Sequence, residues 1–431
     1  MIRHARSIGV VAAGVTTFLN LYSVQAVLPL IATEFHVTLP ATGWTITASL
    51  IAVAGVAPFV GSVSDMLGRK RLIVAAAAAL VVPTLMAGFA PTLASLVVWR
   101  FLQGLLLPFI FAVTVAYIGD EVTGADAIRL TGLYSMGSIT GGFLGRLIAG
   151  TVAEHAGWRA SFIVLAVLTV IGAVLLAVML PREQRFTPVR GLRSSVASFG
   201  EHLGNRRLVG TFAVGFAVLF SIVAAFTYGN FMLAAPPYSL GPAALGAVFV
   251  VYLLGLVTTP VATRLAVVIG RRGTCAVAAL LGCAGMALTL APNLFVIVAG
   301  LGVLAGAVFV EQALSLGFIA AAARRAKSTA VGLYVTSYYV GGSLGGILPG
   351  FLWHRFGWPG CAGLTVAVQL IVMAIAAVSW REPRGGVVVV TPPDGLPTAP
   401  AVPMVAGNPS LPPPIPPNPH PETQPQGAAP P

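Results

Sequence analysis

Across 431 residues only 8% are charged, 57% are hydrophobic and the mean hydropathy is +0.93. That excludes a soluble domain, in which about 25% of residues are charged. The net charge of +12 invites a nucleic-acid reading, but the cations recur loop by loop on one side of long apolar stretches, so they are read as membrane topology and no nucleic acid is expected.

Twelve stretches approach the roughly 20 mostly apolar residues that a spanning helix needs. The first, 8–31, is longer than the apolar core of a cleavable signal and reads as a first span. The spans 43–64 and 72–90 are joined by Gly61–Arg71, GSVSDMLGRKR. In it Gly61, Asp65, Gly68, Arg69 and Lys70 stand in the order glycine, acid, glycine and two cations. The glycines let two helix ends approach and let the backbone turn sharply. The acid can pair with a cation or a neighbouring helix N-terminus and so latch the turn; a loop whose cations only set topology is the alternative. Spans 94–118, 129–153 and 160–180 complete a first half, and the loop 181–207, with six arginines, leads into 208–233, 243–266, 274–291, 293–321, 331–352 and 360–380. The tail, 381–431, is too Pro-rich and polar to pack and is expected to be a disordered cytoplasmic extension.

Placing the N-terminus in the cytoplasm puts twenty of the 24 Lys and Arg on that side and two, Arg159 and Arg355, on the other, with Arg100 and Arg146 inside spans. Both termini are therefore expected to be cytoplasmic. The halves also repeat each other. Gly132-Leu133-Tyr134 recurs as Gly332-Leu333-Tyr334, and Gly141-Gly142 with Leu144-Gly145 recurs as Gly341-Gly342 with Leu344-Gly345. Gly150 matches Gly350 and Gly157-Trp158 matches Gly357-Trp358, all at an offset of 200, while Pro58 and Gly68-Arg69 match Pro260 and Gly270-Arg271 at 202. Such a series predicts an all-α membrane protein of two parallel six-helix bundles, 1–180 and 208–380, related by a pseudo-two-fold axis along the membrane normal.

These features resemble the major facilitator superfamily over 8–380. Gly61–Arg71 is similar to its signature loop between helices 2 and 3, and Trp99-Arg100-Phe101-Leu102-Gln103-Gly104 is similar to a helix 4 motif of proton-driven exporters. Tyr22, Gln25 and Pro29, then Gly119-Asp120-Glu121, GGFLGR at 141–146 and TSYYVGGSLGG at 336–346 are most similar to bacterial YnfM-like exporters of the twelve-helix drug/proton antiporter type. The chain departs from that pattern in three places. Thr140-Gly141-Gly142 lacks the usual Gly-Pro of helix 5, helix 1 carries no embedded acid, and Val267 stands where a second-half equivalent of Asp65 would align.

Charges inside a membrane are costly, and each is a functional candidate. Arg100 lies about 9 Å into its span. The resemblance implies that it couples protonation to cargo movement, whereas an arginine at that depth can also snorkel to the headgroups. Glu311 is the only acid inside a predicted span, either a proton carrier or a structural hydrogen-bond partner. Arg146 can meet a substrate anion, pair with Glu154 or brace the glycine-rich face of its helix. Asp120 and Glu121, at the negative end of the fourth span, need cations, and Arg69, Lys70 or Arg129 can supply them as an inner-face gate that breaks when the halves rock. The glycines of the fifth and eleventh spans allow either close packing or a sliding seam between the halves. Tyr22 and Gln25 are the best substrate contacts, with Tyr134, Tyr334 and Tyr338 further candidates; Tyr228, Asn230 and Tyr339 offer similar groups.

The resemblance implies a secondary transporter that exchanges protons for a drug or amphipathic metabolite by alternating access, with the Asp65 latch holding the outward-open state. It would act as a monomer in a bacterial inner membrane and use a proton gradient instead of a cofactor. A sugar or other metabolite transporter of the same fold is the alternative, with more polar spans expected. An integral-membrane enzyme would need a polar catalytic cluster, which the sequence does not offer, and a transporter-like sensor would use the tail as a partner-binding arm.

Overall fold

A computed structural model describes residues 2–184, 202–322 and 327–380. The expected tail, 381–431, and the middle of the loop 181–207 lie outside the described residues, while Met1–Gly386 forms one compact unit.

Helix α1, Ile2–Tyr22, passes through a 3-10 turn, Ser23–Val27, into the short helix Leu28–Glu34, and another short helix, Leu39–Thr42, leads into α2, Trp44–Leu67. Then come α3, Arg69–Gly88, and α4, Leu93–Glu121. A capping box starts α4: the Ser95 N–H donates to Thr92 Oγ1 at 3.1 Å and the Thr92 N–H to Ser95 Oγ at 3.2 Å. Gly124–Met179 is one run broken at Gly157, giving α5 and α6. The second half starts with α7, Arg206–Ala234. Pro242–Val248, the 3-10 turn Phe249–Leu254 and Gly255–Leu288 follow, with a break at Gly270 between α8 and α9. After α10, Leu294–Ala322, the run Lys327–Ser379 divides at Gly357 into α11 and α12. Nine helices among the described residues are long and apolar enough to cross a membrane, and the three broken runs hold two passes each, so the twelve expected spans are present.

The breaks themselves follow the repeat. Gly157 and Gly357 have φ of 82° and 59°, and Gly68 and Gly270 have φ of 89° and 74°. A left-handed backbone favours glycine, so the residues that punctuate the helices recur with the helices. The outer surface is apolar, with Phe351 and Phe295 exposed at 69% and 84%. In water such a surface would drive aggregation; it suits lipid.

Small residues decide the packing inside each half. A Cβ on Gly137, Gly141 or Gly145 would stand 2.7, 2.6 or 2.4 Å from the carbonyl oxygens of Val11, Val15 or Leu19 on α1. In the second half a Cβ on Gly341 or Gly345 would stand 2.0 or 2.6 Å from the carbonyl oxygens of Phe216 or Phe220 on α7. These glycines therefore seat α5 on α1 and α11 on α7, the packing alternative. Other glycines of the same two spans face the opposite half. Gly346 faces Thr47, Gly150 faces Pro242 and Gly350 faces Pro40, the last two contacts being copies of one another.

Between the halves the hydrogen bonds lie at mid-depth or toward the face opposite Arg69. Thr47 Oγ1 donates to the Ser343 carbonyl at 2.7 Å, Thr336 Oγ1 to the Ala54 carbonyl at 3.1 Å, and the Ala243 N–H to Glu154 Oε2 at 2.9 Å. Gln25 adds two more bonds at its 3-10 turn. Toward the face that carries Arg3, Arg69 and Arg271, the basic face, no hydrogen bond joins the halves among the described residues.

Candidate functional site

A cavity of about 310 Å³ lies between the halves, on the basic side of that seal. Phe18 and Tyr22 of α1, Tyr134 to Arg146 of α5, Leu219 to Val223 of α7, Tyr252 and Thr259 of α8, Phe309 to Leu316 of α10 and Tyr338 of α11 contribute to its wall. The wall is mostly aromatic and aliphatic, with Ser135, Ser138, Thr259 and Gln312 as its small polar set and no acid.

Arg146 closes the end of the cavity nearest the seal and is 1% exposed. Its Nε and Nη2 donate to Gln25 Oε1 at 2.8 and 2.6 Å, and Nη1 donates to the Gly142 carbonyl at 2.6 Å. The guanidinium carbon stands 4.7, 4.2 and 4.7 Å from the ring centres of Tyr22, Phe249 and Tyr252. Glu154, an expected partner, instead accepts the Ala243 N–H, so Arg146 has no carboxylate in ion-pair reach among the described residues. Taking an arginine out of water costs several kcal/mol. Three neutral hydrogen bonds and three aromatic faces offset part of that cost, each desolvated ring contributing about 2 kcal/mol.

Two 3-10 turns make this cage possible. Ser23–Val27 brings Gln25 to Arg146 from the first half, and Phe249–Leu254 brings Phe249 and Tyr252 from the second. Gln25 is fully buried and does not line the cavity, contrary to its expected place as a cargo contact. Its Nε2 donates to Thr227 Oγ1 at 3.1 Å and its backbone carbonyl accepts from Asn230 Nδ2 at 3.1 Å, so it bridges the halves behind the arginine. Tyr22, Tyr134 and Tyr338 do line the cavity. Tyr334 does not: its ring packs on Gly215 and with Leu208 and Phe212, although its repeat partner Tyr134 faces the opening. Tyr252, not singled out from the sequence, was findable as a tyrosine in an otherwise apolar span.

Arg100 is fully buried and does not snorkel. Its guanidinium donates to the carbonyls of Asn20 at 2.9 Å and Thr45 at 3.2 Å, and also to the Leu21 carbonyl and Gln103 Oε1. The Asn20 and Leu21 carbonyls belong to the last α-helical turn before the 3-10 segment, where intrahelical partners are lost. Arg100 supplies the missing donors. The network runs on from Gln103 Nε2 to Thr84 Oγ1 at 2.9 Å, from Thr84 to Asn20 Oδ1 at 3.0 Å and from Asn20 Nδ2 to Thr169 Oγ1 at 2.9 Å. Arg100 thus fixes the turn that delivers Gln25 to Arg146.

Glu311, fully buried on α10, lies behind the cavity wall formed by its neighbour Gln312. By distance neither carboxylate oxygen has a hydrogen-bond partner among the described residues, while the Gln369 side chain on α12 stands near enough to act on it as a donor, as Ser315 does on the Tyr334 hydroxyl. A buried polar group without a close partner costs free energy.

On the basic face, Asp65 pairs with Arg69 at 2.7 Å and Arg69 with Asp120 at 2.9 Å. Glu121 pairs with Arg6 at 3.5 Å and accepts the Gln184 N–H at 2.7 Å, while the Lys70 N–H donates to Glu183 at 3.3 Å. These contacts tie α1, α2, α3, α4 and the segment after α6 together. The Arg69–Asp120 pair expected of the inner-face gate is thus present, and these contacts join elements of the first half. Gly68 makes the turn, but Gly61 lies inside α2 with nothing within 4 Å of a would-be Cβ and brings no helix close. In the second half Val267, at the position of Asp65, is 84% exposed.

The sequence model of the Major Facilitator Superfamily matches residues 10–238 and 218–412. The inner membrane transport protein YnfM of Escherichia coli is 30% identical over 363 residues, covering 84% of this chain and 87% of that one. The multidrug efflux pump LfrA of Mycolicibacterium smegmatis is 32% identical over 138 residues, 32% of this chain and 27% of its own. Among solved structures, the D323A mutant of the nucleoside transporter NupG superposes with a TM-score of 0.71 at 12% identity, over 88% of this chain and all of that one, a likeness of fold.

Proposed function

This chain belongs to the Major Facilitator Superfamily, and on that premise we propose that it is a proton-coupled exporter of small amphipathic molecules that works by alternating access. It is a multi-pass membrane transporter and not an enzyme. The observation behind the finer reading is the cavity between the halves, bounded on one side by inter-half hydrogen bonds, with none on the basic side among the described residues. With the basic face in the cytoplasm, as the positive-inside rule favours, this is the inward-facing state and both termini are cytoplasmic. Cargo enters from the cytoplasm or inner leaflet and leaves after the seal parts. A bacterial inner membrane is the proposed site, with the monomer as the working unit.

Within this reading Glu311 carries the proton. It is an acid in the membrane part whose carboxyl has no cation in ion-pair reach among the described residues, and it stands one residue from the cavity wall. Arg100 positions the 3-10 turn that the cargo site depends on, and the Asp65–Arg69–Asp120 pairs hold the first half rigid as it rocks. Likeness to a protein named as a multidrug efflux pump supports export over uptake. The apolar wall favours amphipathic cargo over sugars, the second reading.

The test uses cells lacking their own exporters and a panel of fluorescent amphiphiles that are cationic, neutral and anionic. Lower accumulation in cells containing the protein, raised by a proton uncoupler, is expected for at least one dye. Equal accumulation across the panel, in cells shown to contain the protein, would overturn export of amphiphiles and favour the metabolite reading.

A further inference from the structure

The cage around Arg146 says what kind of amphiphile fits. Arg146 lies in the cavity wall, is 1% exposed and uses three of its five N–H groups, all on neutral acceptors. Three aromatic rings cover it, and no acid lines the cavity. The pocket is therefore a mostly apolar chamber with one fixed positive charge in its wall and no acid among the described residues that line it. A lipophilic cation entering it meets like charge in a medium of low dielectric, where repulsion is weakly screened. An anion brings the missing partner, and a planar guanidinium with free N–H groups matches the two oxygens of a carboxylate.

We infer that the cargo is a monoanionic aromatic carboxylate whose carboxylate docks on Arg146 and whose flat apolar body lies among Phe18, Tyr134, Tyr338 and Phe309. This rests on the cavity being the cargo site. A volume of about 310 Å³ stands at the small end of the roughly 300–1,000 Å³ that enclose small molecules, so one or two fused rings fit better than a large polycyclic drug. Ser138 and Gln312 leave room for a polar substituent along the body.

The experiment is equilibrium dialysis of the purified full-length chain in lipid nanodiscs against three probes of one shape: 2-naphthoate, 2-naphthamide and 2-naphthylmethylammonium. The naphthoate is expected to bind about tenfold tighter than the amide, the gain of a charge-assisted pair over a neutral one, and the ammonium weakest. In Arg146→Gln the naphthoate-to-amide ratio is expected to fall to about one. Because Arg146 also anchors Gln25, that variant can lose its fold, so Gly142→Asp and Gly142→Asn provide a second route. A Cβ at Gly142 stands at an ordinary 3.5 Å from Arg146 Nη1, and the new carboxylate would neutralise the arginine in place. The asparagine variant is expected to keep the anion preference and the aspartate variant to lose it. Ammonium binding as tight as naphthoate in the unmodified chain, no saturable naphthoate binding, or a preference that survives Gly142→Asp would each overturn the inference. Binding in nanodiscs needs neither a gradient nor a direction of transport, so its failure is separable from a failure of the export reading.

Discussion

Arg100 and Arg146 are both buried arginines with no carboxylate in ion-pair reach among the described residues, but their surroundings assign them different work. Arg100 is spent on three backbone carbonyls and Gln103, away from the cavity, so its removal acts first on the fold. Arg100→Ala is expected to lower the thermal stability of the purified protein by about 3 kcal/mol or more, since four buried acceptors each lose a charged donor. A melting temperature equal to that of the unmodified chain would show that the network is not structural. Glu311 predicts the reverse. Glu311→Gln replaces a buried carboxyl that has no cation partner with a neutral isostere, so stability is expected to stay within about 1 kcal/mol or rise. Uncoupler-sensitive dye exclusion is expected to disappear in the same variant. A variant that excludes dye normally would remove Glu311 from the proton path.

At the scale of elements, two helical glycines, one on α2 and one on α11, have opposite consequences. Gly61→Ala fills open space on a helix and is expected to stabilise α2 by roughly 0.5–1 kcal/mol. Gly341→Ala would put a Cβ 2.0 Å from the Phe216 carbonyl oxygen, and is expected to abolish folded yield in size-exclusion chromatography by prying α11 from α7. The Asp65–Arg69 pair is partly exposed, with Asp65 at 37%, so Asp65→Asn is expected to change stability by less than about 1 kcal/mol. A large loss of export in that stable variant would assign the pair to the transport cycle. Unchanged export would leave it as a tie within the first half.

For the whole molecule, the seal between halves is the decisive feature. A Cβ at Gly346 would stand 2.7 Å from Thr47 Oγ1, across the halves. In a background without Cys275, Cys283 and Cys361, the Thr47→Cys, Gly346→Cys pair is expected to form a disulfide under mild oxidation, stop transport and regain it on reduction. Transport that continues with the disulfide formed would show that the seal need not open during the cycle.

The sequence alone determined the number of spans, the parallel repeat, the turn at Gly68 and the basic side, because apolar length, glycine at positive φ and the exclusion of charge from lipid act locally along the chain. Tertiary structure decided which polar groups meet. Packing sends Tyr134 to the cavity and its repeat partner Tyr334 to the interior, and two 3-10 turns far apart in the chain close on Arg146. It also moved Gln25 from cargo contact to bridge and kept Arg100 from the headgroups. Those outcomes depend on how twelve helices share one interior, where a side chain's partner is fixed by packing over the whole bundle and not by its own neighbours in sequence.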